Sequence, residues 1–255
     1  MKTWFITGCS SGFGRAIAEA ALAAGHRVIA TARDVRSLAD LECEACRVLT
    51  LDVTDAENIR EAIADAGSFD VLVNNAGYGL IGAVEECDDD QIRRNVETNF
   101  FGPMKVIRAA LPMLRAQKSG HIINLSAAAA ISNYPGFGVY GAAKAALEYL
   151  SESLRLELAP LGIRVTLVEP GPFRTDFVTR SLEKASRPIS DYDGTSGKFG
   201  RLSASMNGKQ PGDPVKAAKA ILAIAEAESP PLRLVLGKYA NDKARRRAES
   251  LEKER

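Results

Sequence analysis

The chain has 255 residues, of which 46% are hydrophobic and 25% charged, proportions typical of a globular α/β protein. The formal net charge is +1, which gives no electrostatic basis for binding nucleic acid, and we expect no such partner. No segment has the roughly 18 apolar residues that span a bilayer, and the first residues lack signal-peptide anatomy, so we expect a cytoplasmic protein without membrane contact.

Short apolar runs alternate with helical patterns along the chain. Most of these runs are continuous rather than alternating, as in parallel strands covered by helices on both faces. The alternation predicts one α/β domain, a Rossmann-like doubly wound parallel β-sheet with helices on both faces. The predicted strands are 3–7, 27–31, 47–51, 69–74, 121–125, 164–168 and 233–236, and the predicted helices are 12–24, 55–65, 88–117, 140–159 and 213–228.

A glycine-rich turn, TGCSSGFG, follows the first predicted strand and opens the first helix, with glycines at Gly8, Gly12 and Gly14. Glycines there let the backbone turn tightly and approach a pyrophosphate, while the helix N-terminus supplies N–H groups and a positive dipole end. Glycines also serve plain β–α turns, but the strand before and the helix after favour dinucleotide binding. Ser10 and Ser11 can add hydroxyl donors.

The end of the second predicted strand bears on which dinucleotide binds. A carboxylate at this point would accept hydrogen bonds from the ribose of NAD, whereas an arginine would pair with the 2′-phosphate of NADP. The sequence has Ala32 where the carboxylate is expected, and Arg33 follows it. A planar, always charged guanidinium suits a phosphate, so NADP(H) is favoured. Asp34 keeps the NAD(H) alternative open under a shift of one or two residues.

Tyr140 and Lys144 are spaced four residues apart on a predicted helix, so their side chains share one face. Reduction of a ketone by hydride needs a proton donor for the developing alkoxide. A free tyrosine, with a pKa of about 10, is a poor acid–base group near neutral pH, and a nearby lysine charge should lower that pKa. We interpret Tyr140 as the acid–base residue. The alternative is an ordinary pair of helix residues.

Six short motifs stand in an order and spacing that resemble the short-chain dehydrogenase/reductase family, in its single-domain branch of about 250 residues. Within that family, TGCSSGFG, ATARD and VEPGPFRTDF look most like the 17β-hydroxysteroid dehydrogenase type 1 and retinol dehydrogenase-like subgroup. The motifs are Thr7-Gly8-x-x-x-Gly12-x-Gly14, Asp52-Val53, Asn74-Asn75-Ala76-Gly77, Asn99, Tyr140-x-x-x-Lys144 and Pro170-Gly171.

The resemblance implies hydride transfer between NADP(H) and a carbonyl compound or secondary alcohol, in a homodimer or homotetramer paired through helices 88–117 and 140–159. It makes Asn99 the anchor of a water-mediated proton path behind Lys144, where the residues alone would also allow a polar core side chain. It places Asp52 and Val53 beside the adenine and residues 170–175 beside the carboxamide. The expected cofactor-binding residues are Gly8, Ser10, Ser11, Gly12, Phe13, Gly14, Arg33, Asp52, Val53, Asn75, Ala76, Gly77, Tyr140, Lys144, Pro170, Gly171, Phe173 and Thr175.

One expected catalytic group is missing. The family has a serine thirteen residues before the tyrosine, and this position is Ala127, in a register supported by Pro135. Ser126 is one residue away, and successive strand side chains point to opposite faces. Three explanations stay open: an engineered serine-to-alanine variant, a natural enzyme with another donor such as Ser126, or a non-catalytic dinucleotide-binding sensor or scaffold.

Residues 172–212 are rich in glycine, serine and proline, and we expect them to form a lid over the substrate, since long loops in compact domains are usually functional or disordered. Aromatic residues would suit a bulky or ring-bearing ketone or alcohol. The tail from Asn241 has charges of both signs at helical spacing, which predicts a solvated helix face. The expected pocket aromatics are Phe137, Phe173, Phe177, Tyr192 and Phe199.

Cys43 and Cys46 form a lone C-x-x-C pattern, which zinc sites and redox-active dithiols share. A zinc site needs a second pair of ligands, and His26 and His121 are distant in sequence. We therefore expect no metal, interpret the two thiols as coincidental, and interpret both histidines as loop residues.

Overall fold

The apolar runs of the sequence become the strands of one parallel sheet. The computed structural model describes residues 1–255, and seven strands pair in the order β3-β2-β1-β4-β6-β7-β9. This architecture confirms the predicted doubly wound single domain. The strands are β1 (Thr3–Ile6), β2 (Arg27–Ala32), β3 (Cys46–Thr50), β4 (Val71–Asn74), β5 (Gly79–Ile81), β6 (Gly120–Leu125), β7 (Ile163–Pro170), β8 (Leu182–Lys184) and β9 (Arg233–Leu236).

Helices cover both faces of this sheet. Consecutive strand residues point to opposite faces, so Trp4 joins the core beneath one helical layer while Phe5 joins the core beneath the other. Continuous apolar strands follow because both faces are buried. The helices are α1 (Gly12–Ala23), α2 (Ala56–Ala66), α3 (Asp89–Val96), α4 (Gly102–Gln117), α5 (Ala128–Ile131), α6 (Gly138–Leu158), α7 (Phe177–Arg180), α8 (Lys198–Ser205), α9 (Pro214–Glu226) and α10 (Lys238–Lys253).

The single helix predicted over 88–117 is interrupted. A π-helical turn, Glu97–Phe101, separates α3 from α4, and Asn99 lies within it. Such turns insert one extra residue into the helical ladder and often occur at functional sites. The apolar spacing on either side is helical, so the periodicity gave no signal of the interruption.

The interpretation of His121 as a loop residue is wrong, whereas the predicted strand 121–125, which begins at this residue, is confirmed. The ring of His121 is fully buried in β6, and Nε2 lies 2.9 Å from the hydroxyl oxygen of Thr166. Burial lowers the pKa of His121 to about 3, so the ring is neutral at physiological pH. His26 does lie in the loop before β2, but it is also buried.

The segment 172–212 contains regular structure that the sequence analysis did not predict, namely α7, β8 and α8. Strand β8 pairs in parallel with β5 in a separate two-stranded sheet. At the base of the segment, Phe173 forms a β-bridge with Gly212. The segment is therefore fastened to the domain both at its base and along its length.

The C-terminal residues form α10, as the charge spacing predicted, and Ala240 is the one residue of this helix that is buried. None of the helices combines the length and apolar character needed to span a bilayer.

Candidate active site

A cavity of about 1180 Å³ lies at the carboxyl ends of the central strands. It opens where the strand order reverses between β1 and β4, the position at which open α/β sheets bind ligands. The predicted site residues that line it are Gly8, Ser10, Ser11, Gly12, Phe13, Arg33, Asp52, Val53, Asn75, Ala76, Gly77, Asn99, Ala127, Tyr140, Lys144, Pro170, Gly171, Phe173 and Thr175.

Gly14 is the one predicted cofactor-binding residue that does not line this cavity. It lies under the glycine loop, where a Cβ atom would be 2.3 Å from the carbonyl oxygen of Gly8 and 2.4 Å from Nδ2 of Asn75. A side chain at this position would collide with the loop itself. The glycine is therefore explained by packing within the protein.

The glycine loop is held by reciprocal hydrogen bonds to the end of β4. The hydroxyl of Thr7 accepts from the backbone N–H groups of Asn75 and Ala76, each at 2.9 Å. In return, Nδ2 of Asn75 donates to the carbonyl oxygens of Thr7 and Gly8, both at 2.9 Å. Gly8 has φ +73, a conformation that favours glycine. Thr7 was predicted only as part of the family motif, and this anchoring by its hydroxyl was not predicted.

At the end of β2, Ala32 and Arg33 line the cavity, whereas Asp34 does not. The Asp34 carboxylate accepts two hydrogen bonds from the Arg36 guanidinium, at 2.9 and 2.8 Å, and one from the Arg36 backbone N–H. These bonds lower the pKa of Asp34. Its oxygens are therefore occupied by Arg36, while no ion pair engages Arg33.

Tyr140 and Lys144 lie on one face of α6 and are both buried. The ammonium of Lys144 donates to the carbonyl oxygen of Leu125 at 2.8 Å, and burial lowers the pKa of Lys144 to about 8. Burial also raises the pKa of Tyr140. This direction is opposite to the predicted lowering, because removal of the phenolate from water outweighs any attraction to the ammonium.

Asn99 lies beside the same lysine. A Cβ atom on Gly77 would be 2.5 Å from Oδ1 of Asn99 and 3.4 Å from Nζ of Lys144, so both polar groups converge on the space that this glycine leaves free. Nδ2 of Asn99 donates to the carbonyl oxygens of Tyr78 and Asn95, at 2.8 and 3.0 Å. Oδ1 is buried and has no hydrogen-bond partner. A buried acceptor without a partner is costly and is available to a donor in the cavity.

Ala127 lines the cavity in an extended conformation, with φ −161 and ψ 156. The hydroxyl of Ser126 instead donates to Oε1 of Glu148 at 2.6 Å, and Ser126 is buried. Both residues contribute to the cavity wall, but their side chains point in different directions, as expected for consecutive residues of extended chain. The Ser126 hydrogen is already donated within the protein.

Aromatic side chains form part of the cavity wall. Phe137, Phe173, Phe177 and Phe199 line it as predicted, but Tyr192 does not, because its hydroxyl donates to Glu85 at 2.6 Å on the surface. Three further tyrosines of this wall, Tyr78, Tyr134 and Tyr239, were not predicted. Tyr134 stacks against Phe199 with ring centroids 5.0 Å apart and against Tyr239 of α10 at 6.4 Å. Tyr239 is distant in sequence, and no local motif marks it.

The C-x-x-C residues, Cys43 and Cys46, exchange backbone hydrogen bonds at the start of β3 and are free thiols. Nowhere in the chain do three or more histidine, cysteine, aspartate or glutamate side chains gather in a way that would hold a metal ion.

Comparisons with known proteins agree with this geometry. The family described as short chain dehydrogenase matches residues 2–186. Oxidoreductase BOA17 of Botryotinia fuckeliana is 40% identical over 260 residues, which cover 98% of this chain and 94% of that protein. The crystal structure of a short-chain dehydrogenase from Streptomyces avermitilis has a TM-score of 0.93 and 43% identity, over 100% of this chain and 96% of that one.

A second solved structure, a short chain dehydrogenase from Burkholderia cenocepacia in complex with NADP, has a TM-score of 0.80 and 27% identity. The alignment covers 98% of this chain and 94% of that one.

Proposed function

Because this chain belongs to the short-chain dehydrogenase family, we propose that it interconverts a ketone or aldehyde and the corresponding alcohol by hydride transfer with NADP(H). The substrate we propose is a bulky or ring-bearing secondary alcohol or its ketone. The observation that carries the proposal is the convergence of Tyr140, Lys144 and Asn99 on one cavity that also contains the glycine loop.

The residues of this cavity fit a dinucleotide. The glycine loop offers its backbone to a pyrophosphate at the start of α1, and Arg33 is free of ion pairs beside Ala32. Asp34, the carboxylate after β2 that could select NAD, does not line the cavity and is bonded to Arg36. These features support NADP(H), and the Burkholderia cenocepacia relative was solved with NADP. When bound, this cofactor supplies or accepts the hydride.

Tyr140 is the proposed acid–base residue. Its raised pKa keeps the phenol protonated at neutral pH, so Tyr140 can donate a proton to an oxygen on which negative charge develops. Lys144 holds a positive charge nearby that stabilises the phenolate left behind. The unpartnered Oδ1 of Asn99 can accept a hydrogen bond from a water molecule between it and Lys144, which is our basis for a proton path to solvent.

The missing hydroxyl at Ala127 limits the reaction. A serine there would donate a hydrogen bond to the substrate oxygen, and we propose that the chain as it stands turns over slowly for lack of it. Ser126 does not replace it, because its hydrogen is donated to Glu148. The aromatic side chains and the 172–212 segment enclose the substrate half of the cavity, which is our basis for a lid and a ring-bearing substrate.

We also propose a homodimer or homotetramer paired through α4 and α6. Two large apolar side chains of α6, Tyr149 and Leu156, are 75% and 78% exposed, and a second subunit would remove them from water.

The test is a screen of oxidation and reduction over a panel of ring-bearing alcohols and ketones, with NADP(H) and NAD(H) in parallel. The Ala127→Ser protein and the parent chain are assayed together. Turnover of at least one panel member with NADP(H), greatest in the Ala127→Ser protein, supports the proposal. Tight NADPH binding without turnover in either protein would favour a dinucleotide-binding sensor or scaffold.

A further inference from the structure

A hydrogen-bonded carboxylate ties the end of β6 to the helix that carries Tyr140 and Lys144. Glu148 follows Lys144 by one turn on α6, so the three residues share a face. Its side chain is 7% exposed, and it accepts the Ser126 hydroxyl at 2.6 Å. Because Lys144 holds the carbonyl of Leu125, two consecutive residues of the chain are each bonded to the same face of α6.

A single arginine holds this carboxylate from the other side. Arg233 of β9 donates to Oε2 of Glu148 at 2.6 Å and also contacts Glu169 and Glu152. Glu169 is 2% exposed, and burial raises its pKa. Glu148 therefore uses both oxygens, one for Arg233 and one for Ser126, and its orientation is fixed by two partners.

The position of Ala127 depends on this arrangement. Side chains alternate along extended chain, so the bond that holds the Ser126 hydroxyl on the α6 side directs Ala127 towards the cavity. The short helix α5 follows directly, and the loop after it carries Tyr134 and Phe137 of the cavity wall. Loss of the bond would free the chain at the point where the substrate oxygen must be placed.

We infer that Glu148 is a positioning residue for the reaction, which acts through its hydrogen bond to Ser126 to fix the Ala127 segment against the face of α6 that carries Tyr140 and Lys144. The inference rests on the proposed function for the effect that it predicts on kcat. The predicted anchoring of the Ala127 segment does not depend on that function. A role in packing alone would not need a carboxylate, since hydrophobic residues of similar volume can replace buried ion pairs without loss of stability.

Four variants separate the positioning role from a general loss of stability, each made in the parent and in the Ala127→Ser protein. Glu148→Ala and Ser126→Ala remove the two ends of the bond, and the double variant tests whether they act through each other. Glu148→Gln keeps an oxygen that can accept from Ser126. The matched control is Glu152→Ala, because Glu152 contacts Arg233 but is 43% exposed and does not touch Ser126.

We expect Glu148→Ala and Ser126→Ala each to lower kcat about tenfold, in line with the cost of small misplacements in active sites, while the Kd for NADPH stays within about twofold. The double variant should be no slower than the slower single variant. Glu148→Gln should recover most of kcat, and Glu152→Ala should match its background protein. Any of three results would overturn the inference. They are additive losses of kcat in the double variant, a loss of kcat in Glu152→Ala equal to that in Glu148→Ala, and no recovery of kcat in Glu148→Gln.

Amide hydrogen exchange over residues 126–131 gives a readout that needs no substrate. Exchange should be faster in Glu148→Ala and Ser126→Ala than in Glu152→Ala. If no substrate is turned over but exchange follows this order, the proposed function fails while the anchoring role stands; equal exchange in all variants overturns the anchoring role. Ser126→Ala removes a single oxygen and keeps the Glu148–Arg233 pair, so the test remains decisive if Glu148→Ala does not fold.

Discussion

The ammonium of Lys144 donates a 2.8 Å hydrogen bond to the carbonyl oxygen of Leu125 inside the protein. Burial of this charge lowers the pKa of Lys144 to about 8. The helix that carries Tyr140, the proposed acid–base residue, is thereby fixed to the end of β6 by Lys144. The same burial raises the free energy of the charged form of Lys144 relative to its neutral form.

Lys144→Met should therefore change how stability depends on pH. Between about pH 8 and 10.5 the unfolded chain binds more protons than the folded one, because the folded pKa is the lower of the two. The free energy of unfolding of the parent should rise with pH in this window relative to that of the variant, by up to about 3 kcal/mol. Urea titrations of both proteins at pH 7 and pH 10 measure it. A difference that is the same at both pH values would show that the lysine does not titrate there.

Tyr140→Phe should abolish turnover and leave NADPH affinity nearly unchanged, because only the phenolic oxygen is removed. Lys144→Ala should lower both turnover and NADPH affinity, because we propose that this ammonium acts on Tyr140 and on the cofactor. Steady-state rates on a substrate found in the screen, with NADPH fluorescence titrations, separate the two effects. A tyrosine variant as fast as the parent would exclude Tyr140 as the proton donor.

The two reaction directions should respond differently to pH. Burial raises the pKa of Tyr140, so the protonated form needed for reduction persists through neutral pH, whereas oxidation requires the deprotonated form. We expect kcat for reduction to be nearly constant from pH 6 to about pH 7, where Lys144 keeps its charge, and kcat for oxidation to rise with pH over the same range. A bell-shaped profile for reduction centred below pH 7 would contradict the raised pKa.

Arg33→Ala should remove most of the preference for NADPH over NADH. Loss of a charge-assisted bidentate contact costs about 1.5–3 kcal/mol, or roughly tenfold or more in Kd. Asp34→Asn serves as the control, because the Asp34 carboxylate is bonded to Arg36 and lies off the cavity wall. If Asp34→Asn weakened NADH binding while Arg33→Ala had no effect, Asp34 would be the residue that selects the nucleotide.

Ala127→Ser should raise kcat by about 10²-fold with little change in NADPH binding, since the new hydroxyl acts on charge that develops in the transition state. Ala130→Ser adds the same oxygen three residues further on, outside the main cavity, and should have no effect. Equal rates for the parent and the Ala127→Ser protein would contradict the proposal that the missing hydroxyl slows turnover.

The fold could be predicted because its determinants are local. Each predicted strand corresponds to a strand of the structure, and the glycine spacing correctly indicated a loop before α1. Short strands such as β5 and β8 were not predicted, because three residues are too few to show a periodic pattern. His121 stands first in the predicted strand 121–125, yet it was interpreted as a loop residue, because a polar residue at the start of a strand resembles one until its partner, Thr166, is known.

The candidate site was predicted less completely, for a related reason. Motif residues such as Gly77 and Tyr140 stand in recognisable spacings, and they line the cavity. The bond from Ser126 to Glu148, and from there to Arg233, joins residues 22 and 85 positions apart. The sequence around Ser126, Glu148 and Arg233 does not indicate which residue each of them contacts. These contacts can therefore be identified only in the folded chain.

The attachment of the 172–212 segment at its base and through β8 separates a part of the chain that is held by strand pairing from a part that is not. Phe173 packs on Phe13 of the glycine loop with ring centroids 5.1 Å apart, and β8 is paired to β5 just after Gly77. Between β8 and Gly212, the chain is joined to the sheet by no strand pairing. Residues 190–210 lie beyond the backbone hydrogen bonds of Ala185 to Ile81 and of Arg187 to Glu86. A change of length or shape in this stretch should therefore alter the proposed substrate half of the cavity most and the proposed nucleotide half least.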